Sequence, residues 1–232
     1  MGSTDKAMSG ALGEIKFRLI RDAFGVMCVH SGRSVVNSLC AMMHSRDPLD
    51  LSCFRVLISG GSAVSPTLIE RVRAAWGVGL IQGWGMTETS PIAAVCTLSS
   101  EDLLLSDAEQ AELRTTVGLI SFGVEMRVVE PGTTTPLPWD GESQGELQCA
   151  GAWIASDYYN DPRSRESFTT DGWLRTGDVA VVDVKGRIRL VDRTKDLIKS
   201  GGEWISSVDV ENELMSHPKI AEAAVIGVPH PK

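Results

Sequence analysis

The run 171–206, DGWLRTGDVAVVDVKGRIRLVDRTKDLIKSGGEWIS, constrains this chain more than any other stretch. It sets a turn, an acid, two alternating segments, a charged joint and a glycine loop in unbroken succession. Asp171-Gly172 is a turn pair. Gly177 beside Asp178 lets the backbone bend where an exposed carboxylate is presented at the start of a strand. Alternation over 179–183 and 187–191 predicts two strands, with Lys185-Gly186 as the tight connection between them. Asp192, Arg193, Thr194, Lys195 and Asp196 are too charged to continue a buried strand, and they predict a solvated joint between two packed units. In Ser200-Gly201-Gly202 the absence of side chains lets the backbone approach a ligand closely.

Upstream, the apolar spacing predicts helices over 14–24 and 35–43, with a short buried strand over 26–29 between them. A strand over 54–59 runs into Gly60-Gly61-Ser62-Ala63, and Pro66 opens a helix whose buried stripe is Leu68, Ile69, Val72 and Ala75. The next strand, 80–82, leads into GWGMTETSP at 83–91. Its glycines permit a sharp turn, Trp84 offers a flat face for a base, and Thr87 and Glu88 offer a hydroxyl and a carboxylate. Those groups suit a magnesium nucleotide, which needs an aromatic surface, a phosphate donor and a hard oxygen ligand. The alternative is a core tryptophan beside a solvated loop acid.

Over 98–114 the acids Glu101, Asp102, Asp107, Glu109 and Glu112, with leucines between them, predict a connection and an amphipathic helix with a solvated charged face. From 117 to 149 short strands alternate with the turn signals Pro131-Gly132, Pro136, Pro138 and Asp140-Gly141, a pattern of a small β-barrel or meander. A helix over 208–215 presents Val210, Leu214 and Met215 on one face, and 220–228 is a final strand candidate.

Composition narrows the classes. The chain has 232 residues, 43% hydrophobic and 22% charged, which suits a folded protein with an ample core. A net charge of −8 argues against nucleic-acid binding through a basic field. No apolar run is long enough for a membrane span and no signal-peptide core is present, so a cytoplasmic protein is expected. The five cysteines are scattered and odd in number, as reduced core cysteines would be; Cys28, His30, Cys40 and His44 match no common zinc spacing.

The order WLRTGD, DRTKDLIKSGG and then a helix containing Val208, Asp209 and Glu211, preceded by GWGMTETSP, resembles the adenylate-forming superfamily of acyl-CoA synthetases, luciferases and peptide-synthetase adenylation domains. KSGGEWISSVDVENELMSHP is most similar to the medium- and long-chain fatty acyl-CoA ligases. The resemblance implies an α/β fold: part of a large domain of α/β layers with a small β-barrel, then the start of an α+β C-terminal domain. In those terms 1–10 is a disordered arm or tag remnant, 11–115 the α/β nucleotide-binding part, 116–191 the barrel-like subdomain, 192–196 the hinge and 197–232 an incomplete C-terminal domain.

The same resemblance implies residue roles. Gly60, Gly61 and Ser62 lie against the adenine, with Gly83 and Trp84 also at the nucleotide. Thr87 meets the α-phosphate, Glu88 binds magnesium, Asp178 holds the ribose hydroxyls and Arg193 contacts ribose and phosphate. Lys195 is the hinge, Lys199 serves the thiol-dependent half-reaction, and Gly202 lines the pantetheine channel. GELQCAGAWIASDYY, 145–159, is similar to an architectural block of the family. ATP or AMP, magnesium, coenzyme A and a carboxylic acid, a fatty acid first, are the implied ligands; a homodimer is compatible with the pattern.

Where the family has a GVP-like turn lining the acyl pocket, this chain reads Gly32-Arg33-Ser34. The family's early phosphate loop and late adenylation lysine have no counterpart, so a partial chain, inactive by itself, is expected. The competing expectation is a non-catalytic nucleotide-binding remnant or scaffold, or an adenylation domain for another carboxylic acid.

Overall fold

The computed structural model describes residues 26–30, 55–60, 64, 66–200, 203–217, 219–220 and 223–228; of these, 26–30, 199–200, 203–204 and 216 contribute backbone alone. The expected helices over 14–24 and 35–43, the Gly32-Arg33-Ser34 turn, Gly61, Ser62 and Gly202 lie outside the described residues.

Three parallel strands begin the sheet: β1 (Val26–His30), β2 (Val56–Gly60) and β3 (Gly79–Gly85). Helix α1 (Pro66–Trp76) connects β2 to β3, a parallel pairing that demands such a crossover. Leu68, Ile69 and Val72 form its buried stripe. Ala75 was expected there but is exposed; Trp76, four residues beyond Val72, takes the next place on the stripe and is half-buried. β3 extends past the predicted 80–82 at both ends because its alternation continues, with Leu80, Gln82 and Trp84 all buried. Burying a leucine such as Leu57 or Leu80 contributes about 1.5–3 kcal/mol.

Gln82 is a polar residue in this core, and its amide is fully engaged. Its Oε1 accepts the Val64 amide at 3.0 Å, and its Nε2 donates to the Arg114 and Thr115 carbonyls at 3.2 and 2.8 Å. An unpaired buried amide would cost several kcal/mol, roughly 1–3 by mutational scales, so these bonds fix the end of helix α2 (Asp107–Arg114) against β3.

The chain then reverses. β4 (Ile92–Val95), β5 (Gly118–Ile120), β6 (Val124–Val129), β7 (Gly145–Gly151), β8 (Leu174–Val182) and β9 (Arg187–Arg193) add antiparallel neighbours. The full order is β1-β2-β3-β4-β5-β9-β8-β7-β6. Ala93 and Ala94 of β4 share one core with Val124 and Val128 of β6, so the antiparallel strands curl around a common interior.

Two expectations fail here for local reasons. Asp102 does not lie on a solvated face: it is buried in a 3-10 turn, with its carboxylate 2.5 Å from Arg187 Nη2 and bonded to the Ser99 amide at 2.9 Å. Helix α2, by contrast, forms where it was expected, with Asp107, Glu109 and Glu112 exposed and Gln110, Ala111, Leu113 and Arg114 half-buried. β9 continues through Asp192 and Arg193 instead of yielding to a solvated joint, since Asp192 is buried and its charge is met by amides.

Beyond β9, β10 (Ile198–Ser200) and β11 (Glu203–Ile205) form a separate two-stranded hairpin, and α4 (Ser207–Ser216) follows, after the single-turn α3 (Ser164–Ser167) earlier in the chain. The inward face of α4 is not the predicted one. Asp192 Oδ2 accepts the Ser207 amide at 2.7 Å, and the Ser206 hydroxyl donates to the Val191 carbonyl at 2.6 Å. Pinned there, the helix turns Ser207 and Glu211 inward and leaves Val210 and Leu214 at 37% and 43% exposure. Met215 is half-buried on the Glu211 side. The strand expected over 220–228 is absent from its described residues, which are irregular. There the Val225 amide donates to Glu211 at 3.0 Å. Among the described residues no helix is long and apolar enough to cross a membrane.

Candidate active site

The last residues of the parallel strands β2 and β3 carry glycines, Gly60, Gly83 and Gly85, at the edge where ligands of open α/β sheets bind. Gly60 and Gly83 stand close together: a Cβ on Gly60 would sit 3.2 Å from the Gly83 carbonyl oxygen. Gly85 admits no side chain, since a Cβ there would lie 1.9 Å from the Pro91 oxygen. That close approach brings β4 back over the end of β3.

Between them, Thr87–Thr89 forms one 3-10 turn. Thr89, fully buried, holds it from inside: Oγ1 accepts the Met86 amide at 2.9 Å and donates to the Pro91 carbonyl at 2.7 Å. Thr87 is exposed and Glu88 half-buried at its mouth.

Asp178 is the charged centre. Expected at a strand start and exposed, it lies inside β8 and is only 6% accessible. Gly177, at φ +72°, supplies the left-handed bend before it, and a bulge follows between Val179 and Ala180. The Asp178 amide donates to Thr176 Oγ1 at 3.1 Å, and the Gly177 carbonyl accepts the Thr194 amide at 2.8 Å. Across the ladder Asp178 faces Arg193, whose Nε lies 2.7 Å from Oδ1. Oδ2 accepts the Trp84 indole N–H at 2.8 Å.

Trp84 therefore has a different part from the one its sequence suggested. Its ring is 6% exposed and packed in the core, which leaves no open face for a base; its polar edge holds the carboxylate. The partners of Asp178 are unequal. Arg193 is 54% exposed, so water screens much of its attraction, and burial prevails. The Asp178 carboxyl is consequently pushed above its ordinary 3.8 by desolvation, with Arg193 and Trp84 pulling the other way. Each carboxylate oxygen keeps a second lone pair, so the arrangement still accepts two further hydroxyl donors.

Glu88 is held by a segment the sequence marked only as architectural. The Tyr158 phenol donates to Glu88 Oε1 at 2.5 Å, the Ala155 amide donates to the Glu88 carbonyl at 2.8 Å, and Ser90 Oγ donates to the Trp153 carbonyl at 2.8 Å. Oε2 has no hydrogen-bond partner among the described residues, which leaves one anionic oxygen for a hard cation. Adjacent Tyr159 is 94% exposed, and nothing in the sequence distinguishes the two tyrosines.

Of the remaining sequence-predicted residues, Lys195 is exposed in the turn after β9. Lys199 lies in β10 opposite Trp204 of β11, so its backbone is fixed by the hairpin. Cys149 is fully buried next to the site, and burial pushes its thiol up to about 12.

Comparison with known proteins identifies the family of the chain. The AMP-binding enzyme family matches residues 18–159, and its C-terminal domain matches 209–232. A long-chain-fatty-acid–CoA ligase of Thermus thermophilus is 48% identical over 183 residues, 78% of this chain and 34% of that protein. A 3-methylmercaptopropionyl-CoA ligase of Ruegeria lacuscaerulensis is 39% identical over 235 residues, 97% of this chain and 43% of that protein. The crystal structure of the anthranilate CoA ligase AuaEII in complex with anthranoyl-AMP superposes with a TM-score of 0.72 at 27% identity, over 89% of this chain and 37% of that one. The chain thus spans between a third and a half of the length of these two curated relatives. By family match, by identity and by fold, this chain belongs to the AMP-binding enzymes.

Proposed function

We propose that the protein carrying this chain is an ATP-dependent acid–thiol ligase that activates an aliphatic carboxylic acid, with medium- and long-chain fatty acids as the substrate class, and passes it to coenzyme A. The observation that carries this reading is Asp178: a buried carboxylate, gripped by Trp84 and Arg193, with lone pairs left for a vicinal diol. The names of the two curated relatives, a long-chain-fatty-acid ligase and a 3-methylmercaptopropionyl-CoA ligase, support an aliphatic acyl group.

In this reading Asp178 accepts from both ribose hydroxyls, and Arg193, with its exposed fork, reaches the ribose and α-phosphate. Gly60 and Gly83 flank the adenine, with Gly61 and Ser62. Thr87 donates its hydroxyl to the α-phosphate, and Glu88 presents Oε2 to magnesium. A magnesium ion, when bound, offsets phosphate charge. The substrate carboxylate attacks the α-phosphorus of ATP, the bond to the β-phosphate oxygen breaks, and pyrophosphate leaves with the electron pair. The thiol, losing its proton to solvent, then attacks the acyl carbonyl, the bond from that carbon to the phosphate oxygen breaks, and AMP departs with the electron pair. The turn 194–196 after β9 is the hinge about which Lys199 and Gly202 approach for this second step, with Lys195 at its centre. Release of pyrophosphate that requires both ATP and a fatty acid tests the reading; exchange with no carboxylic acid of any chain length would sink it.

A further inference from the structure

The segment 153–158 grips the Glu88 turn at three points, and one of them selects between the oxygens of the carboxylate. The Ala155 amide fixes the Glu88 carbonyl and Ser90 Oγ ties the turn to the Trp153 carbonyl, so the backbone is set before the side chain is considered. Tyr158 then takes Oε1 at 2.5 Å and leaves Oε2. Tyr158 is itself held. Its amide donates to Ser164 Oγ at 2.7 Å and to Asp157 Oδ1 at 2.9 Å, and its ring meets Phe168 edge-on at 5.7 Å between centroids. A half-buried glutamate with three side-chain torsions would otherwise lose rotamer entropy on meeting a ligand; a phenol anchored on α3 removes that cost in advance.

We infer that Tyr158 is a positioning residue, which holds the Glu88 carboxylate in the one orientation that presents Oε2 to the divalent cation of a metal–nucleotide complex. The inference rests on the proposed role of Glu88. It assigns to the phenol the task that outer-sphere partners have at metal sites, where they orient a ligand without touching the ion. A purely structural tyrosine would support the fold and the nucleotide equally with or without metal; a positioning one acts only on the metal-dependent part.

The experiment titrates magnesium at fixed ATP and follows nucleotide affinity by calorimetry, in the protein as its gene encodes it, in Tyr158→Phe and in Glu88→Gln. Phenylalanine keeps the ring edge on Phe168, so the fold survives and the thermal midpoint reports that it has. For Tyr158→Phe the magnesium needed for half-maximal affinity is expected to rise about 10-fold, with affinity in chelator unchanged. An unchanged magnesium requirement in Tyr158→Phe, beside a raised one in Glu88→Gln, overturns this inference alone. An unchanged requirement in Glu88→Gln overturns the role of Glu88 and the inference with it. An equal loss of affinity with and without magnesium makes Tyr158 structural and also overturns the inference.

Discussion

Trp84 and Asp178, 94 residues apart in the chain, meet through a 2.8 Å hydrogen bond from the indole nitrogen to a carboxylate oxygen. The bond joins the far end of β3, past its parallel pairing with β2 and already paired antiparallel with β4, to Asp178 on β8. Arg193 completes the grip from β9, immediately before the chain leaves the sheet. One carboxylate thus links β3, β8 and the exit of the chain from β9, and a ligand held there would sense all three.

Trp84→Phe keeps the ring packing in the core and removes the donor. A hydrogen bond to a charged group contributes about 1.5–3 kcal/mol, so denaturant unfolding should show a loss of that size. The Asp178 carboxyl should titrate still higher, since desolvation then meets only Arg193. Parent-like stability would mean that the indole bond contributes nothing.

Gly177→Ala isolates backbone strain. At φ +72° the residue is left-handed, and no atom lies within 4 Å of the Cβ that would be added, so the cost is conformational and not steric. A stability loss of about 1–2 kcal/mol is expected. AMP affinity should also fall, because Asp178 is the next residue. Stability equal to the parent would contradict the need for a left-handed bend.

Asp102 sets the acid limb of stability. Its carboxyl is lowered to about 2 by the Ser99 amide, with Arg187 and the Ser99 hydroxyl assisting. A group with a depressed folded value contributes stability above its unfolded value, near 3.8, and loses it as pH falls towards 2. In that window the parent should lose stability with a steeper slope than Asp102→Asn, as followed by unfolding at stepped pH. Parallel slopes would remove Asp102 from the acid transition.

Asp178 has the opposite sign. Its folded value is raised above 3.8, so its contribution to stability is full below 3.8 and is lost as pH rises through the folded value. Ligand binding runs the other way, since hydroxyl donors need the anion as acceptor. Adenosine, which carries no phosphate to titrate, should bind more weakly as pH falls through the raised Asp178 value. Asp178→Asn should abolish that dependence; its persistence in the variant would assign the titration to another group.

What the sequence revealed was governed by range. Local patterns were legible: the β8–β9 hairpin with its Lys185-Gly186 turn and Pro66 opening α1. The family was legible too, because resemblance attaches to ordered motifs. Contacts between distant segments were not. Nothing near Trp84 states that its edge points at Asp178, so an aromatic next to glycines suggested a stacking face. Asp102 and Asp192 looked solvated because their partners, Arg187 in the one case and the Ser207 amide in the other, are distant in sequence. Tyr158 escaped for the same reason: its hydrogen bond spans 70 residues. The face of α4 was misassigned because a carboxylate outside the helix fixes its entry angle, which periodicity alone does not encode.

The most direct test is a calorimetric titration of magnesium AMP into the parent protein and into Asp178→Ala. Saturable binding by the parent, weakened about 10- to 100-fold in the variant, is the predicted result, the equivalent of losing roughly 1.5–3 kcal/mol of hydrogen bonding to a charged acceptor. Equal affinity in the two proteins would place the ribose elsewhere and contradict the assignment of Asp178 as the centre of the site.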